Sequence, residues 1–371
     1  MEDKEKTENT MIYLLRLALH YEKADPEFLK DVDENELYKL CNGHKVTALV
    51  SSVLNSTPDS IWNKSTAASL RRTVLFDYER KEILKHFEED QIWYLPLKGV
   101  ILKDYYPEYG LREMADNDIL VDYTRMDDIR KYMIERGYSV EEYGKTNHDS
   151  YFKKPIYNFE MHRSLFLSKL DDYFSDVKRK AIKDENNNYG YHLSKEDFYI
   201  YFIAHNHKHL TVSGSGIRSL VDIYLYVNKN NDLDWKYITS QLELLGIKEE
   251  EIKLRNIAFK MFSTNNLDLT EEEKELYDFI ISSGVYGNRK NYTINGLRKI
   301  KEENSKNYKL KYMYRRVFLP EEVLKYQLPF FYKHIWARPF LAAYRVGSAL
   351  LFRRKTIMTE LKTLKEDDSV E

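Results

Sequence analysis

The chain has 371 residues, more than one core of about 100–200 residues usually organises, so two packed units are expected. Hydrophobic residues make up 43% and charged residues 32%, a globular balance, and the net charge of -2 argues against a broad electrostatic footprint for duplex nucleic acid. The single cysteine, Cys41, excludes an intramolecular disulfide framework and any multi-cysteine zinc site. The opening run MEDKEKTENT lacks the basic-then-apolar pattern of a secretory signal, so a cytoplasmic location is expected.

Thr10 to Tyr21 reads as a helix with Met11, Leu14, Leu15, Leu17 and Ala18 on one face, and a second amphipathic piece runs from Glu34 to Leu40. In NGHKVTALVSSVLN, residues 42–55, His44 precedes an apolar helix and reads as a cap or a packed histidine rather than a ligand. A long helix from Ser65 to Glu89 offers Leu70, Val74, Phe76, Ile83 and Phe87 as apolar positions. It feeds a strand at Trp93 to Leu97, a turn at Lys98-Gly99 and a short helix from Val100 to Tyr105 that Pro107 stops. A glycine there lets backbone approach a ligand, and the helix start offers N–H groups to an anion such as a triphosphate.

Asp116 and Asp118 lead into the apolar run Ile119, Leu120 and Val121. Residues two apart on a strand share a face, so both carboxylates aim at one point, an arrangement that suits a divalent cation with oxygen ligands, Mg²⁺ first. The plain alternative is solvated charge at a strand end. Thr124 to Arg136 is a helix closed by Gly137, and Tyr138 to Glu141 resumes as a strand. Ser150 to Lys153 and Tyr157 to His162 form a hairpin around Pro155; in its second arm Tyr157, Phe159 and Met161 share one face and Asn158, Glu160 and His162 the other. Spacing alone makes Glu160 a solvated edge residue.

The polar, turn-rich DENNNYGYH, residues 184–192, marks a boundary. The expected division is a helical support region over 1–90, a sheet-bearing core over 91–183 and a helical domain over 184–371. The helix Ser194 to Leu210 opens with the capping signature Ser194 to Asp197 and ends in HNHKHL, where His205 and His209 share a face with Lys208 adjacent. That face suits a basic surface over phosphates or plain packing better than zinc. Asp222 stands four residues after Arg218 and reads as its helical partner, mainly a structural pair, with a place for Arg218 near substrate as the alternative. Trp235 to Gly296 is amphipathic helix without a motif. The aromatic, basic stretch from Phe318 to Lys355 is too broken by charge for a spanning helix, leaving an interfacial helix or helices packed on the domain, and TLKEDDSVE ends the chain as a disordered charge run.

The run LKGVILKDYYPEYGLREMADNDILV, residues 97–121, resembles the uncharacterised nucleotidyltransferase family of the DNA polymerase beta-like superfamily, in which Leu-Lys-Gly precedes Leu-Arg and an Asp-x-Asp-x-Leu-Val strand. NGHKVTALVSSVLN, FEMHRSL and the aromatic ending are similar to other parts of that family. The resemblance implies an α/β (α+β) fold: a mixed sheet with flanking helices, N-terminal helices and a C-terminal helical domain. It implies Glu160 as the third carboxylate beside Asp116 and Asp118, two Mg²⁺ ions with Mn²⁺ as a substitute, and Lys98, Gly99, Arg112, His205, Lys208 and His209 around a nucleoside triphosphate, ATP foremost. The expected activity is transfer of a nucleoside monophosphate to an unidentified hydroxyl acceptor with release of pyrophosphate. Polar Asn117, between the aspartates where an apolar residue is usual, supports the alternative of an inactive nucleotide-binding module.

Overall fold

A five-stranded mixed sheet carries the middle of the chain in the computed structural model, which describes residues 2–29, 32–141, 143–166, 169–263, 268–303 and 307–366. Its strands are β1 (Tyr94–Pro96), β2 (Asn117–Val121), β3 (Ser139–Glu141), β4 (His148–Lys153) and β5 (Tyr157–His162), in the spatial order β1-β2-β5-β4-β3. β2 and β5 run parallel and every other neighbouring pair is antiparallel. The alternation of side chains explains the layering. Ile119 and Val121 of β2, Phe159 and Met161 of β5 and Tyr151 of β4 face a core completed by Ile83 and Phe87 of the helix Ile61–Glu89 and by Met126, Ile129 and Met133 of the helix Met126–Glu135. The intervening residues of β2, β5 and β4 belong to the opposite face.

Contacts divide the chain into two units, Met1–His207 with Gly216–Ile281, and Lys208–Ser215 with Ser282–Glu371. The division therefore does not fall at the polar stretch before His192. That stretch instead forms a small hairpin, Ile182–Lys183 with Tyr191–His192, and docks on β1, where the Tyr94 amide donates to the Tyr189 carbonyl at 3.0 Å. A run of turn residues here makes an ordered edge attachment rather than a linker.

The N-terminal helices lie where the periodicity puts them, with Met11, Leu14, Leu15, Leu17 and Ala18 all buried in the helix Glu2–Leu19. The helix Ile61–Glu89 buries Phe76, Ile83 and Phe87 as expected, but its first half faces differently: Leu70 and Val74 are exposed, while Ser69 and Thr73 are buried. The reason is local, since the Ser69 hydroxyl donates to the Gly110 carbonyl at 2.6 Å and the backbone of Gly110 lies against Leu70, so small residues occupy the approach.

In the second unit, Leu297 and Ile300 of the helix Arg289–Glu302 pack with Tyr312 of the helix Tyr308–Val317 and Leu364 of the helix Arg354–Glu366. The Glu360 carboxylate takes two hydrogen bonds from Arg316, at 2.8 and 3.2 Å. The charged tail is thus helical as far as Glu366, with Thr363 and Leu364 buried, and only its last five residues lie outside the described ones. Among the described residues no helix is long and apolar enough to cross a membrane.

Candidate active site

Asp118 of β2 pairs in register with Glu160 of β5 across the parallel ladder, so the two side chains share the face away from the helical core. The antiparallel ladder between β5 and β4 then places Ser150 opposite Glu160 and His148 opposite His162. A strip of Asp118, Glu160, His162 and His148 thus crosses three strands. Asp116, immediately before β2, lies near enough that the charges of Asp118 and Glu160 both act on it.

The turn after β1 supplies the cation. Lys98 has φ +46° and ψ -118°, the first central position of a type II′ turn, where glycine is the usual residue. Such strain persists only where the surroundings over-determine it. Here the Lys98 ammonium lies 2.6 Å from Asp118 Oδ1. The positive φ thus falls on Lys98 and not on the neighbouring glycine, and Gly99 makes room for protein rather than ligand: a Cβ on it would stand 2.6 Å from Arg112 Nη1. The helix Gly99–Leu102 also differs from expectation as an anion site. It has a single turn, and the amides of Val100 and Ile101 already donate to the carbonyls of Leu97 and Lys98.

Electrostatics separate the two aspartates. For Asp118, burial alone would favour the neutral acid, but Lys98 and the hydrogen bond from His162 Nε2 at 2.9 Å hold the carboxyl well below its usual range. For Asp116, burial and then the Asp118 charge push the carboxyl up to about 6, with Lys98 and Arg218 opposing. His148 is pushed below the ordinary histidine value, first by burial and also by His162 and Lys98, which favours a neutral imidazole.

A divalent cation fits this donor set. The Nε2 atoms of His148 and His162 each lie 3.6 Å from Glu160 Oε2, too far for hydrogen bonds and near the roughly 3–3.5 Å between ligands that share one ion at about 2.1 Å. One donor atom from each of these three residues falls within 4.8 Å of the others. The histidines add what the carboxylate pattern lacked. Alternation alone places His162 on the Glu160 face without a role, and a strand expected from Ser150 stops two residues short of His148, whereas β4 starts at His148; extending the alternation back to His148 gives the signal.

Other expected site residues sort differently. Arg112 is buried and bidentate to Asp222, with Nε–Oδ1 at 2.9 Å and Nη2–Oδ2 at 2.8 Å, and Tyr106 donates to the same carboxylate at 2.9 Å. Arg112 therefore anchors Asp222, which is not the partner of Arg218 that helical spacing predicts. Arg218 donates instead to the Glu113 carbonyl at 2.8 Å and acts on Asp116. On the helix Lys195–Leu210, whose Ser194 hydroxyl accepts from the Asp197 amide at 3.0 Å as the capping signature predicts, Tyr201 is the residue that feels Lys98 and all three carboxylates. His205 follows one turn later, its ring centroid 6.2 Å from that of Tyr201. Lys208 and His209 are exposed and belong to the second unit. His44 is a packed histidine: it is buried, and Ile217 N–H donates to its Nδ1 at 3.1 Å.

Asn117 is buried at the start of β2, alternating onto the opposite face from Asp118, and its Oδ1 accepts from Arg80 at 2.8 Å. Its carboxamide oxygen is thus answered by an arginine of the long helix Ile61–Glu89, while its Nδ2 is buried without a hydrogen-bond partner among the described residues; the side chain does not enter the carboxylate strip.

A mixed sheet with helices on one face and carboxylates of adjacent strands on the other defines a nucleotidyltransferase-like α+β fold. Residues 30–263 match the model of the uncharacterised nucleotidyltransferase family, and the chain belongs to that family. No curated protein and no solved structure matches it significantly.

Proposed function

We propose that the protein transfers a nucleoside monophosphate from a nucleoside triphosphate to a hydroxyl acceptor and releases pyrophosphate. The observation that carries this reading is the register of Asp118 with Glu160 on parallel neighbours, with Lys98 Nζ 2.6 Å from Asp118. Asp116 and Asp118 would hold one divalent ion, and Glu160 with His148 and His162 a second, His162 joining it only by giving up the Nε2 proton that it donates to Asp118 in the ion-free arrangement. Ions bound there would activate the acceptor hydroxyl and stabilise the departing pyrophosphate. Mg²⁺ suits the aspartates, and the two imidazoles favour Mn²⁺ at the second position.

The acceptor oxygen attacks the α-phosphorus while the bond to the bridging oxygen of the β-phosphate breaks, and the acceptor's proton passes to Glu160. Lys98 meets phosphate oxygens as a point charge and Arg218 as a planar fork. Arg112 and Gly99 act indirectly, by fixing the turn that presents Lys98. The inactive-module alternative loses its particular support, since Asn117 alternates away from the strip to pair with Arg80.

The test incubates the purified protein with each α-labelled nucleoside triphosphate, ATP first, with Mg²⁺ or Mn²⁺ and a cell extract. Label on an acceptor and stoichiometric pyrophosphate are expected, with a fall on the order of 10²–10³ in rate for Glu160→Gln. Nucleotide binding without pyrophosphate release from any triphosphate would favour the inactive module instead.

A further inference from the structure

From Val323 to Thr359 the chain holds no acidic residue and seven lysines and arginines, within a molecule of net charge -2. The same segment of the second unit exposes large apolar side chains. Ile335 and Trp336 are 71% and 69% exposed at the start of a 3₁₀ turn, and Leu351 and Phe352 are 78% and 82% exposed at the end of the helix Leu341–Phe352. Between them Ala343, Val346 and Leu350 recur at helical spacing on the exposed side, while Leu341 turns inward to Leu324, Phe331 and Ala337. The helix therefore presents an apolar stripe to solvent and buries the other side, the reverse of an ordinary surface helix. Lys333, Arg353, Arg354 and Lys355 are exposed beside it.

Exposed apolar area of this kind marks an interaction surface, and the charge selects its occupant. A second copy seated face to face would bring cations against cations. Nucleic acid would satisfy the cations and leave the aliphatic side chains in water. A surface that offers phosphates in a plane above hydrocarbon satisfies both sets at once, with the apolar stripe in the acyl boundary and the Lys and Arg heads among the phosphates. We propose that residues 323–359 form a docking surface for an anionic lipid bilayer, lying in its interface without spanning it.

The full-length protein is mixed with vesicles of equal parts phosphatidylglycerol and phosphatidylcholine, or of phosphatidylcholine alone, and floated on a density gradient. Flotation with the anionic vesicles only, weakening as salt rises, is expected. Trp336 is the exposed tryptophan, so binding should blue-shift its emission and lipids brominated in the acyl chain should quench it. The variant Leu351→Ser, Phe352→Ser should lose partitioning by about tenfold or more, and Arg353→Glu, Arg354→Glu by on the order of 30-fold with a flatter salt dependence. Circular dichroism and retained pyrophosphate release or nucleotide binding check that both variants stay folded. Protein that remains unfloated with anionic vesicles overturns the proposal, as does a folded Leu351→Ser, Phe352→Ser variant that floats like wild type. Self-association that the apolar variant abolishes, without vesicle binding, assigns the surface to a second copy and also overturns it.

Discussion

Asp116 and Asp118 are two residues apart on one strand approach and have opposite electrostatic fates. Asp118 has Lys98 at 2.6 Å and His162 at 2.9 Å; Asp116 meets the charges of Asp118 and Glu160 with Lys98 and Arg218 as weaker opposition. That the two carboxylates lie close enough to act on each other was legible from their period-two spacing. Which aspartate Lys98 would bind was not, because that depends on a left-handed turn that no residue at position 98 advertises. The sign of the consequence follows from linkage. A carboxyl raised from 3.8 to about 6 is harder to ionise in the folded chain than in the unfolded one, so in the metal-free protein it subtracts stability above pH 6 and stops doing so below pH 4. Asp116→Asn should therefore stabilise the metal-free protein at pH 7.5 by about 1–3 kcal/mol in urea unfolding while abolishing turnover, and the gain should vanish near pH 4. Asp118→Asn should do the opposite and lose about 3–5 kcal/mol, because it leaves the Lys98 ammonium without its partner. Equal effects from the two substitutions would mean that the charges are shared, contrary to the contacts.

At the scale of elements, alternation in the hairpin revealed which side of β5 carries Glu160, and capping chemistry revealed where the helix Lys195–Leu210 begins. Pairings over long sequence distance stayed hidden. Arg112 and Asp222 are 110 residues apart, and their fork joins the segment before β2 to the helix Arg218–Lys229. Helical spacing offered Arg218 as the partner because it counts only local neighbours. The pair is buried, so removing one member leaves the other charged and uncompensated, whereas removing both relieves that penalty. Arg112→Ala and Asp222→Ala should each cost about 3–5 kcal/mol, and the double variant should be more stable than either single one. Strict additivity in denaturant unfolding would refute a dedicated pair and return Arg112 to the phosphate-binding set.

At the scale of the whole molecule, two units were legible from length alone, but the boundary was not, since composition cannot distinguish a polar linker from a polar hairpin docked on β1. His44 shows how the first unit is joined across distance. It ends the helix Glu34–His44, accepts from the Ile217 amide and hydrogen-bonds to the backbone of Ile281, so its ring connects three parts of the chain far apart in sequence. Burial drives its pKa from 6.5 down to about 4, so the folded protein keeps the ring neutral where the unfolded chain protonates it. A histidine with a depressed folded pKa contributes stability that is fully present above pH 6.5 and is lost as pH falls toward 4, up to about 3 kcal/mol over that window. Asp116 changes in the opposite sense over part of the same range, so the wild-type profile alone does not isolate His44. The difference between wild type and His44→Gln does, because Asp116 is common to both and Gln can still accept from one amide and donate to a carbonyl. Urea unfolding from pH 7.5 to 4 should show wild type losing stability relative to His44→Gln by close to one proton's slope. Parallel profiles would show that the acid sensitivity of the fold originates elsewhere.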